Sequence, residues 1–149
     1  MRIGELGKRT GFSTETIRYY EREGLLEAPE RGENNYRRYA ERHVDALLFI
    51  RSCRQLDMAL DEIRTLLAFR KSPGDSCGTV NALLTEHLSH VQDRIRELVS
   101  LETELKTLQA RCQQSRPIEE CGILEGLKGE ADRTSIPNVS SHVPGSHRR

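Results

Sequence analysis

Ser13-Thr14-Glu15-Thr16-Ile17-Arg18-Tyr19-Tyr20-Glu21-Arg22-Glu23-Gly24 is the stretch whose pattern decides the fold. Ser13 and Thr14 offer side-chain oxygens to the unpaired N–H groups of a helix start, and Gly24 is the residue type that ends one. Ile17 and Tyr20, three apart, face inward, while Thr14, Arg18 and Arg22 share the opposite face. Just upstream, Ile3 to Thr10 forms a first helix with Leu6 inward and Gly11 as its left-handed stop. Helix, short turn, helix is the spacing of a helix-turn-helix.

Downstream, Leu25-Leu26 and Tyr36-Arg37-Arg38-Tyr39 are separated by Pro29, Gly32 and Asn34-Asn35. They read as the two strands of a ribbon, or wing. Val44, Leu47, Leu48 and Ile50 give a third helix. Ile63, Leu66 and Leu67 give a fourth, ending near Arg70 before Pro73-Gly74. From about Thr79 to Arg111 there is neither Gly nor Pro. Apolar residues fall at Val80, Leu84, Leu88, Val91, Ile95, Leu98, Leu101, Leu105 and Leu108, with steps from Leu84 of 4, 3, 4, 3, 3, 4 and 3. One narrow apolar seam on a polar helix predicts a helix–helix interface, most simply a homodimeric coiled coil. The competing reading folds this helix back onto residues 1–70. Pro117 stops any extension, and Ile123, Leu124 and Leu127 form a short apolar patch.

The expected fold class is therefore mainly α: an N-terminal winged helix-turn-helix followed by a long coiled-coil dimerisation helix. Residues 1–70 form the DNA-binding domain and 71–78 a linker with the first metal-ligand segment. Residues 79–112 form the dimerisation helix, 113–129 a metal-binding loop with a short helix, and 130–149 a tail too polar to fold.

Composition agrees with a small core and one long polar-faced helix. The 149 residues are 36% hydrophobic, 31% charged and 5% aromatic, with no Trp. No apolar run of membrane-spanning length occurs, and Met1-Arg2-Ile3-Gly4-Glu5 is unlike a secretory signal. A cytoplasmic location is the expectation, with Cys53, Cys77, Cys112 and Cys121 reduced. The 23 basic residues balance 23 acidic ones, which argues against a non-specific nucleic-acid coat and leaves room for a charge-patterned, sequence-specific binder.

Thr14, Thr16, Arg18 and Tyr19 on the second helix suit phosphate and base-edge contacts in a major groove. Arg31, Asn35, Tyr36 and Arg37 of the wing, beside Arg38 and Tyr39, would reach flanking phosphates. The plainer alternative is a solvated helix face with tyrosines in the core. Cys112 and Cys121 are separated by eight intervening residues across the Pro117 loop and can converge on one ion. Thiolates favour soft or borderline ions such as Hg(II), Cd(II), Pb(II), Zn(II) and Cu(I). Cys77 precedes Cys112 by 35 positions, which along a helix is about 50 Å. In an antiparallel dimer the start of one helix meets the end of the other, so Cys77 of one chain would join Cys112 and Cys121 of its partner. Redox-sensing or tolerated thiols are the alternative, and Cys53, beside Phe49 and Ile50, reads as packing. Glu62, His87, His90, His142 and His147 are candidates for a second, weaker metal site, against the plainer reading of surface and tail histidines. No nucleotide-binding glycine motif and no catalytic constellation stands out, so no enzyme activity is expected.

At Ile3-Gly4-Glu5-Leu6, Gly11-Phe12-Ser13, Thr16-Ile17-Arg18-Tyr19-Tyr20-Glu21, Gly24-Leu25-Leu26 and Asn35-Tyr36-Arg37-Arg38-Tyr39 the chain resembles the MerR family of bacterial transcription regulators. The resemblance covers residues 1–127. It implies a winged helix-turn-helix, an antiparallel dimer helix, and binding to a promoter with an overlong spacer. It also implies activation by twisting and bending that DNA for RNA polymerase, at a deformation cost of a few kcal/mol. Asp75-Ser76-Cys77-Gly78, Val80-Asn81, Glu86-His87 and Cys112 with Cys121-Gly122-Ile123-Leu124 resemble the lead- and cadmium-responsive branch. Cys77, Cys112 and Cys121 fall on that branch's thiolate positions. Mercury sensors space three Cys similarly, whereas copper-type sensors lack the first. The chain departs from the family at Ala59, where Ser or Thr usually caps the fourth helix before Glu62.

Together with the residues, the resemblance implies a homodimeric regulator that activates a resistance promoter by distorting its DNA. The expected effector is Pb(II) or Cd(II), held by three thiolates shared across the dimer, with Hg(II) or Zn(II) as alternatives. A thiol-redox regulator on the same scaffold and a metal scavenger without a DNA role are the other readings.

Overall fold

The computed structural model describes residues 1–129; the expected tail, with His142 and His147, lies outside them. Two compact units divide the chain, one holding residues 1–85 and the other beginning at Glu86.

In the first unit, α1 spans Ile3–Thr10 and α2 Thr14–Arg22. Gly11 ends α1 at φ 79°, a left-handed conformation that costs Gly little, and its N–H reaches the Gly7 carbonyl. Ser13 caps α2 as expected, its Oγ accepting from the Thr16 N–H at 3.1 Å. Two short strands, β1 (Glu30–Arg31) and β2 (Arg37–Arg38), pair antiparallel with Glu30 opposite Arg38 and Arg31 opposite Arg37. Helices α3 (Glu41–Gln55) and α4 (Leu60–Arg70) complete the unit.

The wing's first strand therefore lies four residues downstream of Gly24-Leu25-Leu26, and the expectation that Leu25-Leu26 would form it is corrected. The N–H groups of Leu25 and Leu26 both bond the Tyr20 carbonyl, at 2.9 and 3.2 Å. They thus satisfy the open C-terminal turn of α2, not a sheet ladder. Their side chains enter the core, which also holds Leu6, Ile17, Tyr20, Tyr39, Val44, Leu47, Ile50, Met58 and Ile63. Leu48, counted in the α3 pattern, faces outward.

Both α3 and α4 begin at an Ala that has no side-chain oxygen to cap with. The reciprocal half of the capping box is made in each case: His43 Nδ1 accepts from the Ala40 N–H, and Glu62 Oε1 from the Ala59 N–H, both at 2.9 Å. Ala59→Ser should supply the missing oxygen and raise stability by about 0.5–1 kcal/mol. A lower melting temperature would show that α4 does not begin there.

Helix α5 runs from Cys77 to Ala110, two residues ahead of the expected start. Ser76 is the reason: its Oγ accepts from the Gly78 N–H at 3.1 Å. In the second unit α5 gives way to a loop, and α6 covers Gly122–Gly126. Leu88, Ile95, Leu98, Leu101 and Leu105 of the apolar seam are exposed in the single chain.

Candidate DNA-binding face and thiolate site

The sequence-predicted DNA residues fall on α2 and the wing. Thr14, Arg18 and Tyr19 are exposed. Among the described residues Arg18, Arg22 and Arg38 have no ion pair, so their charges face solvent. Thr16 is half-buried, and its hydroxyl shares a 2.8 Å hydrogen bond with Ser13 Oγ beside the α2 cap. At the wing tip Asn34 and Asn35 both sit at φ 64°, which Asn tolerates better than most residues. Asn35 Oδ1 accepts from Arg31 at 3.1 Å, so two of the expected contact residues brace one another. Tyr36 is 58% exposed, with the Arg2 guanidinium 5.1 Å from its ring centre.

Sequence reasoning passed over two residues of this face. Glu21 is half-buried at the end of α2, and its carboxylate accepts from Tyr39 OH and from Arg37 Nη1 at 3.4 Å. Burial first, then the bond to Glu21, pushes the Tyr39 phenol up to about 12. Arg2 is the other. The Tyr20-Glu21 pair was visible as a motif, but nothing local signalled that Glu21 turns toward the wing.

The thiols divide by environment. Cys53 is buried among the α3 packing, and burial raises its thiol pKa, a rise partly offset by Arg70. Cys77 is exposed as the first residue of α5, while Cys112 and Cys121 are half-buried. Along α5, 34 residues long, the distance from its first residue to its last is about 50 Å. In the second unit the loop after α5 doubles back. A Cβ on Gly122 would lie 2.4 Å from the Arg111 carbonyl oxygen, and one on Gly126 2.7 Å from the Arg111 guanidinium. The Cys121-Gly122 backbone thus rests on the residue before Cys112, an approach only Gly permits. Cys112 Sγ lies 3.5 Å from the Gln114 carbonyl oxygen.

On α5, His87 and His90 stand one turn apart, His87 buried and His90 half-buried. Glu62, in the first unit, lends one carboxylate oxygen to the α4 cap. Among the described residues no helix is long and apolar enough to cross a membrane.

Residues 1–69 match the MerR HTH family regulatory proteins, and residues 44–108 match the family described as MerR, DNA binding. The HTH-type transcriptional regulator ZntR homolog of Haemophilus influenzae is 40% identical over 111 residues, 74% of this chain and 82% of that protein. The chain belongs to the MerR family. It is a metal-responsive, DNA-binding transcriptional regulator and not an enzyme. The mercuric resistance operon regulatory protein of Bacillus cereus is 39% identical, covering 85% of this chain and 96% of that one. Among solved structures, the lead(II) complex of the transcription regulator PbrR691 from Ralstonia metallidurans matches with TM-score 0.78 and 51% identity. It covers 85% of this chain and 98% of that chain.

In this MerR-family regulator, Cys53→Ala should leave the metal response unchanged and cost about 1 kcal/mol of stability from the vacated volume. A transcription assay and a thermal melt check it together, and loss of induction would bring Cys53 into sensing. Arg37→Ala should weaken promoter binding across sequences and shallow the salt dependence by about one ion. Anisotropy titrations at several salt concentrations test that, with metal affinity unchanged.

Proposed function

We propose that this regulator is a homodimer that senses Pb(II) or Cd(II) through Cys77 of one subunit and Cys112 and Cys121 of the other. The observation that carries the reading is the doubling back of the Gly122 segment onto Arg111, which closes the 112–121 loop between two of the thiols. The length of α5 and the exposed seam along it support the rest. A seam of that kind needs a partner helix, and an antiparallel partner brings the two helix ends together. The donor set fits a soft divalent ion: three free thiols outside the core, with Cys53 kept apart as packing.

The bound ion would supply a soft Lewis acid that holds three thiolates at once. The remaining steps belong to the chain. Without effector, α2 and the wing hold the promoter through Thr14, Thr16, Arg18, Tyr19, Arg31, Asn35, Tyr36 and Arg37. Drawing the 112–121 loop onto Cys77 of the partner subunit reorients the two DNA-binding units. The DNA between them twists and bends, and RNA polymerase can then open the promoter. A deformation of a few kcal/mol is within what ligand binding of this kind can drive. His87 and His90 are candidates for a second, weaker site of nitrogen donors.

The lead(II) complex of the 51%-identical relative supports Pb(II) over the alternatives. Hg(II) is the second reading, favoured by the mercuric resistance regulator at 39% identity. Transcription measured with Pb, Cd, Hg and Zn titrated under thiol-buffered conditions decides between them. Induction at the lowest free concentration by Pb(II) or Cd(II) is expected. Induction first by Zn(II), or by an oxidant without metal, would overturn the assignment.

A further inference from the structure

Glu21 is an acidic residue one turn from Arg18 on the helix that faces DNA, where each negative charge repels phosphates. Its side chain is only 12% exposed, and both oxygens are spent on the wing: one accepts from Tyr39 OH, the other from Arg37. Tyr39 is itself a junction. Its N–H and carbonyl both pair with Met1, each at 2.8 Å. Its ring meets that of His43 edge-on at 5.3 Å, and His43 caps α3. A carboxylate in this place links α2 to the point where wing, α1 and α3 meet, and a buried, fully paired carboxylate holds its partners more firmly than an exposed one.

We propose that Glu21 is a positioning residue for DNA recognition: it presets the wing's Arg37 and Tyr39 against α2, so that helix and wing meet the duplex in one fixed spacing. Glu21 itself does not touch DNA. The inference rests on the reading that α2 and Arg37 contact the promoter. It extends that reading, because it makes the helix-to-wing spacing a property of one side chain.

The sign of one substitution separates this role from its rival. If Glu21 were a bystander charge, Glu21→Gln would remove repulsion and tighten binding, most at low salt. As a positioning residue, it weakens binding instead. The experiment is anisotropy titration of the full chain on promoter DNA, over a range of salt, for Glu21→Gln, Glu21→Ala, Arg37→Ala, Arg18→Ala and the double variants. Glu21→Ala should weaken affinity by about tenfold, and Glu21→Gln, which keeps an acceptor for Tyr39, by less. The Glu21→Ala loss should shrink when Arg37 is already Ala and persist when Arg18 is already Ala, since only coupled residues depart from additivity. A gain of affinity in Glu21→Gln overturns the proposal. So does full additivity of Glu21→Ala with Arg37→Ala, which marks a general stability effect. Should Glu21→Ala fail to fold, the near-isosteric Glu21→Gln keeps the sign test. Arg37→Ala with wild-type affinity would instead remove the wing contact itself, and the inference with it.

Discussion

Cys77→Ser, Cys112→Ser and Cys121→Ser should each retain promoter binding and lose metal-induced transcription altogether. A serine hydroxyl stays protonated at neutral pH and is a hard donor, so each substitution removes one of three soft ligands and leaves two. Changes merely outside the ligand shell already cost roughly 10–100-fold in metal affinity, and losing a ligand costs more. Promoter binding should survive because all three thiols lie outside α2 and the wing, with Cys77 no nearer than the first residue of α5. Paired measurements, promoter affinity by titration and induction by transcription in vitro, check both halves. Wild-type induction in any one variant would break the three-thiolate site.

Mixed dimers provide the second large effect. Combine a Cys77→Ser chain with a Cys112→Ser/Cys121→Ser chain. Neither homodimer has a complete site. In the heterodimer, the second chain contributes Cys77 and the first contributes Cys112 and Cys121, so one composite site has all three thiols and the other has none. The expected result is one tightly bound metal per heterodimer, with the ultraviolet charge-transfer band of a three-sulfur site. Were the three ligands drawn from one chain, no mixture of these two could restore a site. A heterodimer as metal-blind as its parents would therefore refute the shared geometry inferred from the roughly 50 Å length of α5.

Much of this was legible because it depends on near neighbours in the chain. Ser13 caps α2 through an oxygen and an N–H three residues apart, and Gly11 ends α1 by its own backbone freedom. Leu6, Ile17, Leu47 and Ile63 are buried as their periodicity requires, and the seam from Leu84 to Leu108 follows from spacing alone. The family was readable too, since its motifs are runs of adjacent residues. Cys77, Cys112 and Cys121 stood out as a ligand set by residue type, though nothing local says how they meet.

Non-local pairing decided the rest. Leu25 and Leu26 have strand-like side chains, yet both their N–H groups go to the Tyr20 carbonyl, and the ladder passes to Glu30 and Arg31. A strand is made by its partner across the sheet, which no stretch of sequence contains. The start of α5 at Cys77, by contrast, is a local matter that the sequence reading missed: Ser76 caps the helix through the N–H of Gly78, two residues on. Glu21 turned from a helix-surface acid into the link between α2 and the wing only when the chain brought Tyr39 back beside it, 18 residues on. Sequence alone thus determined the helices, their buried faces, the seam and the list of thiols, because helix periodicity and capping act within about four residues. Tertiary structure alone decided the wing's register, the Glu21 link and the return of Gly122 onto Arg111, because each is a contact between segments that are distant in the chain or joined by a loop of no regular period.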